Sequence, residues 1–193
     1  MDYQENFLQT PDALFDWCLD DRNVKWQREQ ISIFGQQILV PREIAWFGKV
    51  GTNYRYSGID HHGKNWPVRI HQLAQQINRQ FDLKTNFSLL NLYASGDDYM
   101  GWHRDNEPSM HSLIASVSLG ETRRFRFRDT RRGISQSIDL VHGSVLIFDG
   151  NRYHALPKSK KSLSPRINLT FRQLVTDSDS SAHCKPNADL VNE

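Results

Sequence analysis

Residues 102–111 read WHRDNEPSMH and hold a histidine and an aspartate one residue apart, His103 and Asp105. In an extended chain, side chains two positions apart project from the same face, so an imidazole and a carboxylate can share one spot. Such a pair is a candidate piece of a metal site, although an isolated His-x-Asp is ordinarily just solvated. His154, in RYHALPK after the apolar run 144–148, offers a third donor. Two histidines and one carboxylate on one face of an iron ion make the facial triad of non-haem Fe(II) oxygenases, which leaves three coordination positions for a cosubstrate and oxygen. The remaining histidines suit this role less well. His61 and His62 fall in a glycine-containing loop, His71 on a helix, His142 before a Gly-Ser turn and His183 near the C-terminus.

A second chemical signal is RINLTFR, residues 166–172. Ile167, Leu169 and Phe171 face one way, while Arg166, Asn168, Thr170 and Arg172 face the other. The ordinary reading is a half-exposed strand with its polar side in water. The functional reading is a polar strand face inside a barrel, where arginine grips a small dicarboxylate such as 2-oxoglutarate by paired hydrogen bonds.

Such residues need a frame. Thr10-Pro11-Asp12 reads as a helix start, with Thr10 as the cap and proline in the first turn. A second helix starts near Trp66-Pro67 and carries Ile70, Leu73, Ala74, Ile77 and Phe81 at helical spacing. From Asn86 the pattern changes to short β-rich runs: FSLLNLY, LIASVSLG, RRFRFRD, QSIDLV, SVLIFDG and RINLTFRQL. Repeated short strands of this kind predict a sandwich or barrel with two helices packed on it. No internal repeat is visible.

The chain has 193 residues, 38% hydrophobic, with a formal net charge of +2. That suits one domain, expected over 1–174, with a polar, disordered tail over 175–193. Two cysteines, Cys18 and Cys184, form no framework, which suits a reducing compartment. No apolar run approaches the roughly 18 residues of a membrane span. The N-terminus lacks a signal-peptide core. A soluble monomer in the cytoplasm, or the nucleus of a eukaryote, is expected.

Taken in order, NLY, WHRDNE, ASVSLGETRRFRFR, HGSVLIFDG, YHALPK and PRINLTFR resemble the AlkB-type Fe(II)/2-oxoglutarate dioxygenases, and the resemblance runs from about Ile31 to Leu174. It implies an α+β, mainly β fold: a double-stranded β-helix, or jelly-roll, over 86–174, with N-terminal helices packed on it and a nucleotide-recognition region over 31–60. It implies Fe(II) held by His103, Asp105 and His154. It also implies 2-oxoglutarate contacted by Asn91 and Tyr93, with Arg166 on its distal carboxylate, Arg172 nearer the other end, and Asn168 and Thr170 completing the pocket. In YRYSG, Tyr54, Tyr56 and Ser57 match residues lining a lesion pocket, with Tyr56 placed for base stacking. Glu107 matches a contact to the flipped base, and Phe34 an aromatic wedge in duplex-repairing relatives.

The activity so implied is oxidative demethylation of N-alkylated bases, such as N1-methyladenine and N3-methylcytosine, in DNA or RNA. Oxygen and 2-oxoglutarate are consumed, and succinate, carbon dioxide and formaldehyde are released. Two basic runs, 122–132 with six arginines and the group Lys158, Lys160 and Lys161, are expected to meet phosphate. Two rivals stand beside this reading. One is an Fe(II)/2-oxoglutarate oxygenase acting on a protein or small molecule, and the other is a non-catalytic nucleic-acid-binding module.

Overall fold

The computed structural model describes residues 1–33, 36–56, 59–107, 110–161 and 164–175. The six β-rich runs after Asn86 become β7 (Phe87–Tyr93), β9 (Leu113–Gly120), β10 (Arg123–Arg128), β11 (Gln136–Leu140), β12 (Val145–Asp149) and β14 (Arg166–Arg172), and two short strands that the pattern did not announce join them, β8 (Met100–His103) and β13 (Tyr153–Leu156). Before them come β1 (Asp2–Gln4), α1 (Pro11–Leu19), β2 (Gln30–Ile33), β3 (Gln36–Leu39), β4 (Glu43–Gly48), β5 (Asn53–Tyr56), β6 (Ile59–His62) and α2 (Val68–Phe81).

One sheet has the order β1-β12-β9-β14-β7-β4 and the other β11-β10-β13-β8. From β7 onward the chain shuttles between them, and all pairings are antiparallel. This is the double-stranded β-helix. Two hairpins, β2–β3 and β5–β6, stand outside these sheets.

The larger sheet is buried on both sides, and this explains the unbroken burial of β14. On its outer face Val117, Leu119, Ile167, Leu169 and Phe171 pack with Ile70, Leu73, Ala74 and Ile77 of α2 and with Leu14 and Cys18 of α1. Each fully buried Leu or Ile contributes roughly 1.5–3 kcal/mol. The α2 residues recur at i, i+3, i+4 and i+7, a single stripe. Asp82 ends α2 in the left-handed region at φ 50°, its N–H bonded to the Asn78 carbonyl. Pro11 opens α1 as expected, but the Thr10 side chain makes no cap bond.

Between the sheets lie Ile114, Phe125, Phe127, Leu140, Leu146 and Phe148. Along β10 the two phenylalanines point in while Arg124 and Arg126 are exposed. The six arginines of 122–132 therefore do not act alike. Arg123 is buried and donates to the carbonyls of Ser95, Asp98 and Pro157, so it ties loops together instead of facing solvent. His61 and His62 lie on β6, not in a loop.

Candidate active site

β8 and β13 are adjacent and place His103 directly opposite His154. Asp105 lies two residues beyond the end of β8. A turn past the strand end, rather than strand alternation alone, brings it round. Its N–H donates to the Gly150 carbonyl at 2.9 Å, and the Gly150 N–H donates to the Ser112 carbonyl at 2.7 Å. A Cβ on Gly150 would stand 2.7 Å from Ile114 Cδ1 and 2.9 Å from the Asp105 carbonyl, so only glycine lets these segments approach.

The Asp105 carboxylate stands 3.6 Å from His103 Nε2 and 3.7 Å from His154 Nε2. Among the described residues, the three supply ligand atoms that all lie within 4.8 Å of one another. Each imidazole has its other nitrogen engaged: His103 Nδ1 with the Gly101 carbonyl at 2.9 Å, and His154 Nδ1 with the Arg152 carbonyl at 2.8 Å. A carbonyl can only accept, so Nδ1 carries the proton and the Nε2 lone pair points at the centre. Burial, then the neighbouring His154, push His103 down to about 4, so it is neutral and able to ligate. Asp105 Oδ1 is buried without a hydrogen-bond partner. Two imidazoles with Nε2 turned to the centre and an orphaned carboxylate oxygen around one point fit a divalent metal such as iron.

The other carboxylate oxygen accepts from Arg172 Nη1 at 2.8 Å. Burial alone would raise the Asp105 pKa, but the Arg172 guanidinium and the two imidazoles outweigh it and hold the carboxyl well below the usual range. Arg172 itself is raised: burial foremost would lower it, but the charge and hydrogen bond of Asp105 together with Tyr54 and Glu107 outweigh that.

One cavity takes in His103, Asp105 and His154 together with Asn91, Tyr93, Arg166, Asn168, Thr170 and Arg172. All nine residues implied for metal and cosubstrate thus converge. Arg166 is 2% exposed and faces no carboxylate among the described residues. Its Nη2 donates to Ser118 Oγ at 3.0 Å, its guanidinium lies 5.4 Å from the Tyr93 ring, and its Nε has no partner. Burial pushes it down to about 10. A buried cation without a counter-charge is costly, and a dicarboxylate entering the cavity would relieve it. Asn168 donates to Ser116 Oγ and the Val117 carbonyl, and Thr170 to the Leu89 carbonyl, so both brace the sheet as they line the cavity.

Arg42, Ser116, Ser118 and Gly150 were not singled out by sequence. Arg42 Nε donates to Asn91 Oδ1 at 2.7 Å across 49 residues, and no local pattern signals it. Ser116 and Ser118 were readable: in ASVSLG they are the polar alternates of a strand whose other positions are apolar.

Tyr54 is fully buried with its ring 5.2 Å from the Arg172 guanidinium. Glu107 is half-buried, and burial foremost raises its pKa, with the Asp105 charge adding to the rise. Both therefore adjoin the metal site without lining the cavity. Tyr56 lies on β5, but its side chain falls outside the described residues, as do Phe34 and Ser57 and the tail beyond 175. On the outer face of the smaller sheet, the Arg128 guanidinium lies 4.0 Å over Trp102, and Arg104 lies 5.0 Å over Tyr153. Lys158 sits 5.3 Å from the Tyr99 ring.

A family model described as the 2OG-Fe(II) oxygenase superfamily matches residues 1–172. The chain is 37% identical over 160 residues to the DNA oxidative demethylase ALKBH2 of Homo sapiens, covering 76% of this chain and 61% of that protein. It is 34% identical over 185 residues to the alpha-ketoglutarate-dependent dioxygenase alkB homolog 3 of Homo sapiens, covering 84% and 62% respectively. Against ALKBH2 of Bos taurus the identity is 36%, and the chain spans 58% of that protein's length. The solved structure of OsALKBH1 superposes with a TM-score of 0.60 at 18% identity, over 89% of this chain and 97% of that one, and so shares the fold. With residues 1–172 inside one family model and this degree of identity to two AlkB homologues, the chain belongs to the 2OG-Fe(II) oxygenase superfamily, in its AlkB-type branch.

Proposed function

We propose that the protein is an oxidative demethylase of N-alkylated nucleobases such as N1-methyladenine and N3-methylcytosine, in DNA or RNA, using Fe(II), oxygen and 2-oxoglutarate. The observation that carries this reading is a single cavity with a triad of two imidazoles and a carboxylate at one end and Arg166, buried without a counter-charge among the described residues, on its wall. His103, Asp105 and His154 hold the iron. Arg166 takes the distal carboxylate of 2-oxoglutarate, with Asn91, Tyr93, Asn168 and Thr170 around it. Arg172 holds Asp105 ionised and oriented.

Held there, iron and 2-oxoglutarate would supply the oxidation, with one oxygen atom of O2 entering the N-methyl C–H bond and the other entering succinate with loss of carbon dioxide. The resulting N-hydroxymethyl group leaves as formaldehyde, and the base nitrogen is restored. The fold's part is to orient these groups and exclude water. Tyr54, Tyr56, Ser57 and Glu107 are assigned to the flipped base and Phe34 to the gap it leaves. Aromatic faces and a carboxylate suit a cationic methylated base. The names of the relatives support nucleic acid as the partner.

We further assign residues 1–174 to one catalytic domain, with 31–60 recognising the nucleotide and 86–174 forming the core. A monomer in the cytoplasm or nucleus fits this role. No helix among the described residues is long and apolar enough to cross a membrane.

The test is incubation with Fe(II), ascorbate, 2-oxoglutarate and oligonucleotides bearing either lesion, single- and double-stranded, followed by mass spectrometry. Loss of one methyl that needs both iron and 2-oxoglutarate is expected. Succinate formation with every methylated oligonucleotide left intact would move the substrate to a protein or small molecule.

A further inference from the structure

Behind the proposed base pocket lies a buried histidine that the chemistry above does not use. His61, on β6, has no solvent exposure, and its ring is held at both nitrogens. Nδ1 is 3.2 Å from the carbonyl oxygen of Tyr54, the residue directly opposite on β5. Nε2 is 2.7 Å from Oε1 of Glu29, whose side chain is 9% exposed. A carbonyl only accepts, and an ionised carboxylate only accepts. The strand ladder already gives the Tyr54 carbonyl the His61 backbone N–H, but a neutral imidazole has one N–H and would turn a ring lone pair toward one of these two acceptors. Two N–H groups satisfy both. The extra proton belongs on His61 rather than Glu29, because imidazole is the stronger base by about two pKa units.

We propose that His61 and Glu29 form a buried imidazolium–carboxylate pair that fixes Tyr54 and staples the β5–β6 hairpin to the segment leading into β2. They are positioning residues for the substrate pocket, a role that rests on the proposed demethylase reading. The surroundings are consistent with a held charge. Trp46 of β4 stands perpendicular to the His61 ring at 4.5 Å, and Lys64 lies 3.9 Å from the far partner, the Trp46 ring. Beyond Tyr54, the Arg172 guanidinium of β14 is 5.2 Å from the tyrosine ring. The pair is thus linked through Tyr54 and Arg172 to Asp105.

Nitrogen-15 spectra of the histidine rings in the full chain test the pair directly, with His61→Gln used to assign the signals. Near neutral pH both His61 nitrogens should carry protons, and in Glu29→Gln one should not. A neutral wild-type imidazole at that pH would overturn the pair. Kinetics test the role. In Glu29→Gln the KM for a methylated oligonucleotide should rise about tenfold, the worth of one charge-assisted hydrogen bond, with a smaller change in kcat. An unchanged KM in both variants would overturn the positioning role. If no oligonucleotide is turned over at all, the demethylase reading fails separately. Amide exchange of residues 53–56 then decides: faster exchange in the variants supports the staple, and unchanged exchange overturns it.

Discussion

Arg166 and Asp105 are opposite kinds of buried charge, and their substitutions should behave in opposite ways. Asp105 is paired, so Asp105→Ala removes a proposed iron ligand and strands Arg172, at a cost of about 3–5 kcal/mol. Turnover should vanish and the thermal midpoint should fall; ordinary turnover in this variant would sink the ligand assignment. Arg166 has no counter-charge among the described residues, so Arg166→Leu should leave the cofactor-free thermal midpoint unchanged or raised while weakening 2-oxoglutarate binding at least about tenfold. A variant that unfolds early yet binds 2-oxoglutarate normally would assign Arg166 to architecture instead.

The two shifted acids give the pH dependence of the metal-free protein a definite sign. Asp105 is held below its unfolded value, so its stabilisation is present above about 3.9 and is lost as pH falls through the lower folded value. His103 is depressed to about 4, so the unfolded chain takes up its proton first and stability declines as pH drops from about 6.5 toward 4. Chemical denaturation of the metal-free protein across this range checks both; a flat profile would contradict them.

At the scale of elements, the site hangs on how three backbone segments meet. β8 and β13 bring the histidines opposite each other, and Gly150 lets Asp105 come close. Gly150→Ala should therefore weaken iron binding several-fold, read by metal titration, with the fold retained. Unchanged iron affinity would show that the Asp105 segment yields freely. The strongly patterned elements were legible in sequence: α2 by its stripe, β9, β10 and β14 by their alternation, and β7 and β12 by their apolar, β-rich runs. The Arg166–Arg172 face was legible as polar, but whether that face met water or a cavity depended on the second sheet, and no local pattern records that. β8 and β13 escaped because each has four residues and carries a ligand where an apolar residue would normally announce a strand. The role of Thr10 was over-read, since proline alone suffices to start α1.

Across the whole molecule, a small net charge hides a divided set of arginines. Arg123 is a buried brace, whereas Arg131 and Arg132 are exposed on the connection from β10 to β11. Replacing Arg131 and Arg132 with alanine should weaken binding of all oligonucleotides alike and flatten the logarithmic salt dependence by about 2, while Arg123→Ala should lower the thermal midpoint instead. Equal salt slopes in the double variant and the wild type would remove this connection from the phosphate-binding surface. The central claim joins the two ends of the cavity to one reaction, and the most direct measurement of it is stoichiometry. Succinate and formaldehyde should be counted together during turnover of an oligonucleotide carrying N3-methylcytosine. Equal amounts of the two, both lost in Asp105→Ala, are expected. Succinate released without formaldehyde, at a rate indifferent to the methylated base, would contradict it.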